Sequence, residues 1–386
     1  MIRLKTILSF SIIILLFNSL FAQQYTNETL QHDGEIREYK LYIPPNYDGS
    51  EAFPLLFNFH GGNGDIDSQI AISDMRGIAD AENVILVYPQ ALPDPNDGGS
   101  TNWLHKDPTD VDDIFFVEAM INTLAAEYEI DTERVYACGY SLGGEFTFEL
   151  ACRLNEKIAA VGVVARTMNT ATFNNCNPVH PTGILTILGT DDSISPYDGL
   201  VWGGIQYYTS ADEMHGYWAN YNNADAQPTI TQLPNTNTSD GTTVELHTWE
   251  NGDECVSINH LKVIGGGHDW PGSFGNMDID TDTEIWNFVS QYSTLGLIEC
   301  GDEPVPTNNT HLSSNTITFY PNPTSNSLTV NITSQQPQLY HIYDVSGKVV
   351  QRAKISAANN TINLNALIPN IYFLKLGNQN FKFIKN

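Results

Sequence analysis

Basic side chains are scarce in this 386-residue sequence: 17 Lys and Arg stand against 45 Asp and Glu, for a formal net charge of −28. The shortage is sharper in the middle of the chain. With Arg3, Lys5 and the six basic residues beyond 307 set aside, residues 23–307 hold 9 basic and 44 acidic side chains, a net of −35. A field of that sign repels nucleic acid and anionic membranes, so a neutral substrate is the expected partner. Cysteine is also sparse, and Cys138, Cys152, Cys176, Cys255 and Cys300 fit no zinc spacing. The glycine-rich turn at Gly61-Gly62-Asn63-Gly64 is followed by no Walker lysine and no G-x-G-x-x-G string, which argues against a phosphate cradle. Long apolar runs are missing outside the first 22 residues, and no stop-transfer pattern follows them.

Those first 22 residues read as a secretory signal peptide. Arg3 and Lys5 precede an apolar stretch from Ile7 to Phe21, interrupted at Ser9, Ser11, Asn18 and Ser19, and Ala22 closes it. The apolar core is short for a membrane anchor, so no stable membrane insertion is expected. In an exported chain the five cysteines suggest up to two disulfides and one thiol left over. Cys138, inside a central strand, is the expected free one.

What is present is organised around Gly139-Tyr140-Ser141-Leu142-Gly143. The run Arg134 to Cys138 is short, apolar and rich in strand formers, and Gly144 to Leu154 carries Phe146, Leu150 and Leu154 at helical spacing. Strand, sharp turn and helix in that order place the Ser141 hydroxyl at the carboxyl edge of a sheet and the Leu142 amide at a helix N-terminus. Elsewhere strands are expected at Arg37 to Ile43, Pro54 to Phe59, Val84 to Tyr88, Ala159 to Ala165, Ile184 to Leu188, Thr242 to Trp249 and Leu261 to Ile264. Helices are expected at Ser68 to Ala81, Asp112 to Tyr128 and, capped by Thr281, Asp282 to Tyr292. Val201 to Tyr221 reads as loop plus helix. Alternation of this kind specifies an α/β domain with a mostly parallel sheet, whose sites form beyond the carboxyl ends of the strands.

Residues 301–315 are polar and aperiodic, which makes them a linker between a catalytic domain at 23–300 and a second domain at 316–386. In that second domain Leu328 to Ile332, Leu339 to Tyr343, Thr361 to Leu364 and Ile371 to Leu376 alternate as short strands of a small all-β sandwich.

A serine hydroxyl needs a base to take its proton and a carboxylate to orient that base. His268 is the expected base, because Gly265-Gly266-Gly267-His268 follows the last buried strand; His215, His247 and His260 fall inside regular elements. For the acid, the strand ending at Leu188 empties into Gly189-Thr190-Asp191-Asp192, and spacing leaves Asp191 and Asp192 both open, with Asp198 more remote. An oxyanion requires two backbone donors. Leu142 supplies one, and Gly62, or alternatively Gly61, the other. Trp103 and Trp270 on edge loops, with Tyr140 beside the serine, are the candidate substrate contacts. Asp278, Asp280, Asp282 and Glu284 alternate like a calcium loop but lack its glycine and distant bidentate Glu, so helix capping is the expected role and no metal is assigned.

Together these motifs resemble the secreted polyhydroxybutyrate depolymerase and feruloyl or acetylxylan esterase family of α/β-hydrolases, over residues 30–293. The resemblance rests on His60-Gly61-Gly62, Val111-Asp112-Asp113, Arg134-Val135-Tyr136, Gly139-Tyr140-Ser141, Leu150-Ala151-Cys152, Gly189-Thr190-Asp191-Asp192 with Pro196-Tyr197, and Gly265-Gly266-Gly267-His268-Asp269-Trp270-Pro271-Gly272. It implies Ser141, Asp192 and His268 as a triad, hydrolysis through an acyl-enzyme, and no cofactor. Many members carry a cysteine near the equivalent of Trp218 to Asn223, where this chain has none. Cys255 is then expected to pair with Cys300, and Cys152 with Cys176.

The tail, with Phe319-Tyr320-Pro321-Asn322-Pro323-Thr324, Tyr343-Asp344-Val345-Ser346-Gly347-Lys348 and Ile371-Tyr372-Phe373-Leu374-Lys375, resembles the C-terminal sorting domain of the bacterial type IX secretion system. That resemblance implies outer-membrane secretion machinery as a partner and an extracellular or cell-surface location. The expected protein is a secreted serine carboxylesterase acting on feruloyl or acetyl esters of plant polysaccharide, with polyhydroxyalkanoates as the second substrate class. Loops 91–109 and 193–215 are expected to build its mouth. The competing class is a non-catalytic, surface-displayed binding protein on a hydrolase scaffold.

Overall fold

A ten-stranded sheet forms the centre of the first unit, and its strand order explains where the site lies. The computed structural model describes residues 24–95, 98–103, 113–298, 300, 318–331, 338–343, 349–357, 360–376 and 379–386. The expected signal peptide, the 301–315 linker, Val111-Asp112 and Ser346-Gly347 lie outside the described residues. Two compact units divide between Cys300 and Gly301.

In the first unit the strands are β1 (Thr26–His32), β2 (Glu35–Tyr42), β3 (Phe53–Phe59), β4 (Ile85–Pro89), β5 (Ile130–Tyr140), β6 (Ala160–Val164), β7 (Gly183–Gly189), β8 (Thr229–Gln232), β9 (Thr243–Trp249) and β10 (Ile258–Ile264). They are ordered β1-β2-β4-β3-β5-β6-β7-β10-β9-β8. Every pairing from β4 through β10 is parallel, and the two flanks are antiparallel. This is an α/β-hydrolase sheet. β3, β4, β6 and β7 are buried along their whole length, as strands covered on both faces must be.

Two apolar layers cover those faces. One contains Phe57, Phe59, Trp103, Phe116, Phe146, Phe148 and Trp218; the other contains Tyr88, Tyr136, Trp270, Ile285 and Trp286. The covering helices are α1 (Ile66–Ile72), α2 (Arg76–Glu82), α3 (Asp113–Glu127), α4 (Leu142–Arg153), α5 (Thr170–Asn175), α6 (Ala211–Tyr221) and α7 (Thr281–Val289).

Several details differ from the expected elements. The single helix over 68–81 is broken between α1 and α2, because Ser73 is drawn inward: its hydroxyl donates to Asp282 at 2.6 Å and its carbonyl accepts from Tyr88. The cap of α7 is Asp280, which accepts from the Thr283 amide, and Thr281 is the first helical residue. Edge strands β1 and β8 were not expected; both are largely exposed and carry little apolar signal.

Cys152 pairs with Cys176 and Cys255 with Cys300, as expected. Cys138 is free and buried, and burial pushes its thiol pKa well up.

The second unit is all β. Its strands are β11 (Thr318–Tyr320), β12 (Ser327–Asn331), β13 (Gln338–Tyr343), β14 (Val349–Ile355), β15 (Thr361–Asn363), β16 (Asn370–Leu376) and β17 (Gln379–Lys385). They form sheets ordered β11-β12-β15 and β14-β13-β16-β17. Leu328, Val330, Ile342, Ile362, Leu374 and Phe383, drawn from both sheets, share one core.

Candidate active site

The turn between β5 and α4 fits only the residues it has. A Cβ on Gly139 would lie 2.4 Å from the Gly143 carbonyl oxygen, and one on Gly143 would lie 2.3 Å from the Phe59 oxygen. Side chains at either position would force the helix off the sheet. Between them Ser141 takes φ 54° and ψ −118°, a backbone that non-glycine residues avoid. Its amide donates to the Val164 carbonyl at 2.9 Å, which ties the turn to the end of β6. Leu142 opens the helix, so its N–H has no partner a turn earlier.

His268 comes from the loop after β10. Its Nε2 lies 2.9 Å from Ser141 Oγ and its Nδ1 lies 2.7 Å from Asp192 Oδ2. The other Asp192 oxygen accepts from the amides of Ile194 and Ser195, at 2.8 Å each. Burial pushes the Asp192 carboxyl up, but the His268 hydrogen bond and those amides outweigh it and hold its pKa below the usual value. The result is a fixed carboxylate aimed at one imidazole nitrogen. Asp191 is exposed, and its side chain accepts from Thr190. The acid and histidine loops are also joined through their backbones: Asp191 N–H donates to Gly266 O at 2.8 Å, and Gly265 N–H to Thr190 Oγ1 at 2.8 Å.

The glycine turn after β3 lies against the serine. A Cβ on Gly61 would be 3.3 Å from Ser141 Cβ, and one on Gly62 only 2.5 Å from Leu142 Cδ1. Sequence reasoning quoted His60 in a motif and assigned it no part. Its Nε2 accepts from the Ala91 amide at 3.1 Å, so the proton is on Nδ1, which donates to Gly61 O at 2.7 Å. Burial lowers the His60 pKa and keeps the ring neutral. That bond orients the Gly61–Gly62 peptide, whose Gly62 N–H points the opposite way from the Gly61 carbonyl within the same plane.

The expected aromatic contacts are placed differently. Trp103 is 1% exposed, stacks on Phe146 at 5.0 Å and donates its Nε1 to the His60 carbonyl at 2.9 Å. Trp270 is also 1% exposed and donates to Asp282 at 3.1 Å. Neither ring has a face left for a substrate; each supports a loop from beneath. Tyr140 is half-buried, and its hydroxyl donates to the His268 carbonyl at 2.7 Å. The acidic run divides into structural roles, with Asp278 accepting from the Thr236 and Asn237 amides, Asp280 capping α7, and half-buried Asp282 accepting from Ser73 and Trp270. Burial pushes the Asp282 pKa up to about 6.

Known proteins resemble this chain in parts. Residues 37–175 match the family described as Esterase PHB depolymerase, and residues 318–386 match the Secretion system C-terminal sorting domain. A bifunctional acetylxylan esterase/xylanase of Neocallimastix patriciarum is 30% identical over 73% of this chain and 38% of its own length. Feruloyl esterase B of Piromyces equi is 26% identical over 67% of this chain and 45% of its own length. The chain therefore spans less than half of each of these two relatives. The solved acetyl xylan esterase from Aspergillus awamori is 15% identical, with a TM-score of 0.48 over 69% of this chain and 99% of that one. Residues 37–175 are thus similar to the Esterase PHB depolymerase family, and residues 318–386 to the secretion system C-terminal sorting domain.

Proposed function

We propose that this protein is a secreted serine carboxylesterase that hydrolyses feruloyl or acetyl esters of plant polysaccharide. The observation that carries the reading is the unbroken line from Ser141 Oγ through His268 to Asp192, with separations of 2.9 and 2.7 Å. His268 Nε2 takes the hydroxyl proton as Ser141 attacks the ester carbonyl, and Asp192 stabilises the imidazolium that results. The tetrahedral oxyanion is held by the Leu142 and Gly62 amides, each contributing about 3 kcal/mol in a fixed, water-poor site. His268 then returns the proton to the departing alcohol. Water, deprotonated by the same nitrogen, releases the acid from the acyl-enzyme.

The relatives named for acetylxylan and feruloyl esters support the substrate class. The family match to PHB depolymerases favours polyhydroxyalkanoate as the second reading. The leader at 1–22 and the sorting domain at 318–386 support export to the cell surface or the medium.

Release of ferulate or acetate from arabinoxylan, set beside clearing of a polyester film, is the deciding assay. We expect release from xylan, and a fall in turnover on the order of 10⁵-fold in Ser141→Ala. Clearing of the film alone selects the second reading. Turnover of a small phenyl ester with neither polymer touched defeats both, and undiminished turnover in Ser141→Ala defeats the serine mechanism.

A further inference from the structure

A two-stranded hairpin at Leu200–Trp202 and Ile205–Tyr208 stands between the acid loop and α6, outside the central sheet. Gly203 and Gly204, at φ 61° and 81°, make its two-residue turn. Trp202, Ile205 and Tyr207 are 74%, 61% and 43% exposed, and Val201 is 64% exposed. Trp202 pairs with Ile205, so these two share one face, and Tyr207 is the extra residue where the register shifts between Leu200 and Val201. Gln206 and Tyr208 are half-buried and form the inner side.

That inner face is firmly held. Tyr208 Oη donates to Glu145 at 2.9 Å, and Glu145 is also bonded to the Arg166 guanidinium at 2.8 Å and to Asn169 at 3.0 Å. Glu145 sits in the first turn of α4, four residues from Ser141. Thr170 Oγ1 donates to the Gln206 carbonyl, and the Gln206 side chain to Glu213. The hairpin is thus fastened through Tyr208 to the helix that begins at the serine and through Gln206 to α6, and it leaves Val201, Trp202, Ile205 and Tyr207 to water.

For a tryptophan this exposure is exceptional within this chain. The other five tryptophans are between 0% and 8% exposed. Ile194, whose amide donates to Asp192, is 64% exposed on the acid loop that leads into the hairpin. The hairpin itself contains no charged residue.

We infer that the outer face of this hairpin is a platform for the uncharged saccharide chain that carries the ester, with Trp202 and Tyr207 stacked on the apolar faces of sugar rings and Ile205 packed between them. The inference rests on the polysaccharide reading above. Three features select this occupant: the hairpin's place directly after the acid loop in the chain, a surface of flat amphipathic rings suited to the C–H faces of a sugar, and a net charge of −35 over residues 23–307 that disfavours an anionic polymer.

Binding and turnover separate the platform from the triad. In the full chain carrying Ser141→Ala, we expect depletion from solution by insoluble xylan, weakened about tenfold by adding Trp202→Ala and further by Tyr207→Ala. In the active enzyme, Trp202→Ala should raise KM on xylan esters about tenfold and leave kcat/KM for 4-nitrophenyl acetate within about twofold. Xylan binding that ignores both substitutions overturns the platform. Loss of 4-nitrophenyl acetate turnover equal to the loss on xylan overturns it as well, since the hairpin would then be part of the reaction centre. Loss of adsorption to polyhydroxybutyrate granules with xylan binding unchanged overturns the saccharide occupant. Trp202-dependent xylan binding without ester release leaves the platform standing and defeats the substrate reading alone.

Discussion

Two hydroxyl-imidazole arrangements lie along the carboxyl half of the same sheet, and their distances alone do not tell them apart. In one, Ser141 Oγ is 2.9 Å from His268 Nε2. In the other, Thr186 Oγ1 on β7 is 2.8 Å from His215 Nε2 and 2.9 Å from His260 Nδ1, and His260 Nε2 meets the Tyr197 hydroxyl at 2.9 Å. The first imidazole has a carboxylate behind it, and its side chain is 16% exposed. Among the described residues neither ring of the second has a carboxylate as its hydrogen-bond partner, and Thr186, His215 and His260 are at most 1% exposed. Thr186 is also an ordinary strand residue, whereas Ser141 sits at φ 54°. A close hydroxyl and imidazole are therefore not enough; a charged partner, access and a strained turn set the arrangement proposed for the nucleophile apart from a buried hydrogen-bond network.

The sharpest way to break that comparison is to remove only the charge. Asp192→Asn keeps the shape of the acid while destabilising the imidazolium and the correct ring tautomer, and should lower kcat for a small ester on the order of 10⁴-fold. Thr186→Val in the buried network should leave kcat within about twofold while lowering unfolding free energy by about 2 kcal/mol, because two ring nitrogens lose their partner. Steady-state kinetics with urea unfolding on both variants checks the pair. Comparable kinetic losses would erase the distinction.

How much of this was legible in the sequence depends on the range of the interaction. Gly139, Ser141 and Gly143 were readable because the constraint is local: the turn admits no side chain beside the serine. His268 was readable because it follows a buried strand. Choosing Asp192 over Asp191 from the residues themselves was not possible, since the choice is made by the Ile194 and Ser195 amides and by a ring 76 residues away. The break at Ser73 was hidden for the same reason, its partner Asp282 being 209 residues distant. Trp103 and Trp270 were misread because a tryptophan in a loop does not announce whether its N–H has found the His60 carbonyl or the Asp282 carboxylate. Trp202, in a stretch read simply as loop, is the one left exposed.

The buried network also sharpens the comparison through pH. Burial, reinforced by the neighbouring His247, lowers the His215 pKa from 6.5 to about 3. Besides Thr186 and His247, the groups facing this cluster are Trp249, Tyr197, Lys262 and Glu245. An unfolded histidine binds a proton below about 6.5 that the folded one refuses, so stability is fully present above that pH and is lost as pH falls towards 3. Replacing His215 with Phe removes this one proton, and the drop in unfolding free energy between pH 7.5 and pH 5 should shrink by about 2 kcal/mol. Asp282, with its pKa raised to about 6, slopes the other way, but it is common to both proteins and cancels in the difference. Urea unfolding at the two pH values is the measurement, and identical pH dependence in the two proteins would mean that His215 already shares the proton in the folded state.

The smallest expected effect tests whether the first arrangement depends on its backbone as well as its side chains. The Tyr140 hydroxyl holds the His268 carbonyl at 2.7 Å, while its ring packs 5.1 Å from the imidazole. Burial pushes its pKa up to about 12, so it remains a donor throughout the working range. Tyr140→Phe keeps the ring and deletes the bond, worth about 1 kcal/mol. If the tyrosine acts by holding His268, kcat falls about fivefold with KM unchanged, because a histidine loosened on its loop spends less time aligned with Ser141. A rise in KM at constant kcat would instead make Tyr140 a substrate contact, and would mean that the hydroxyl leaves His268 when an ester arrives.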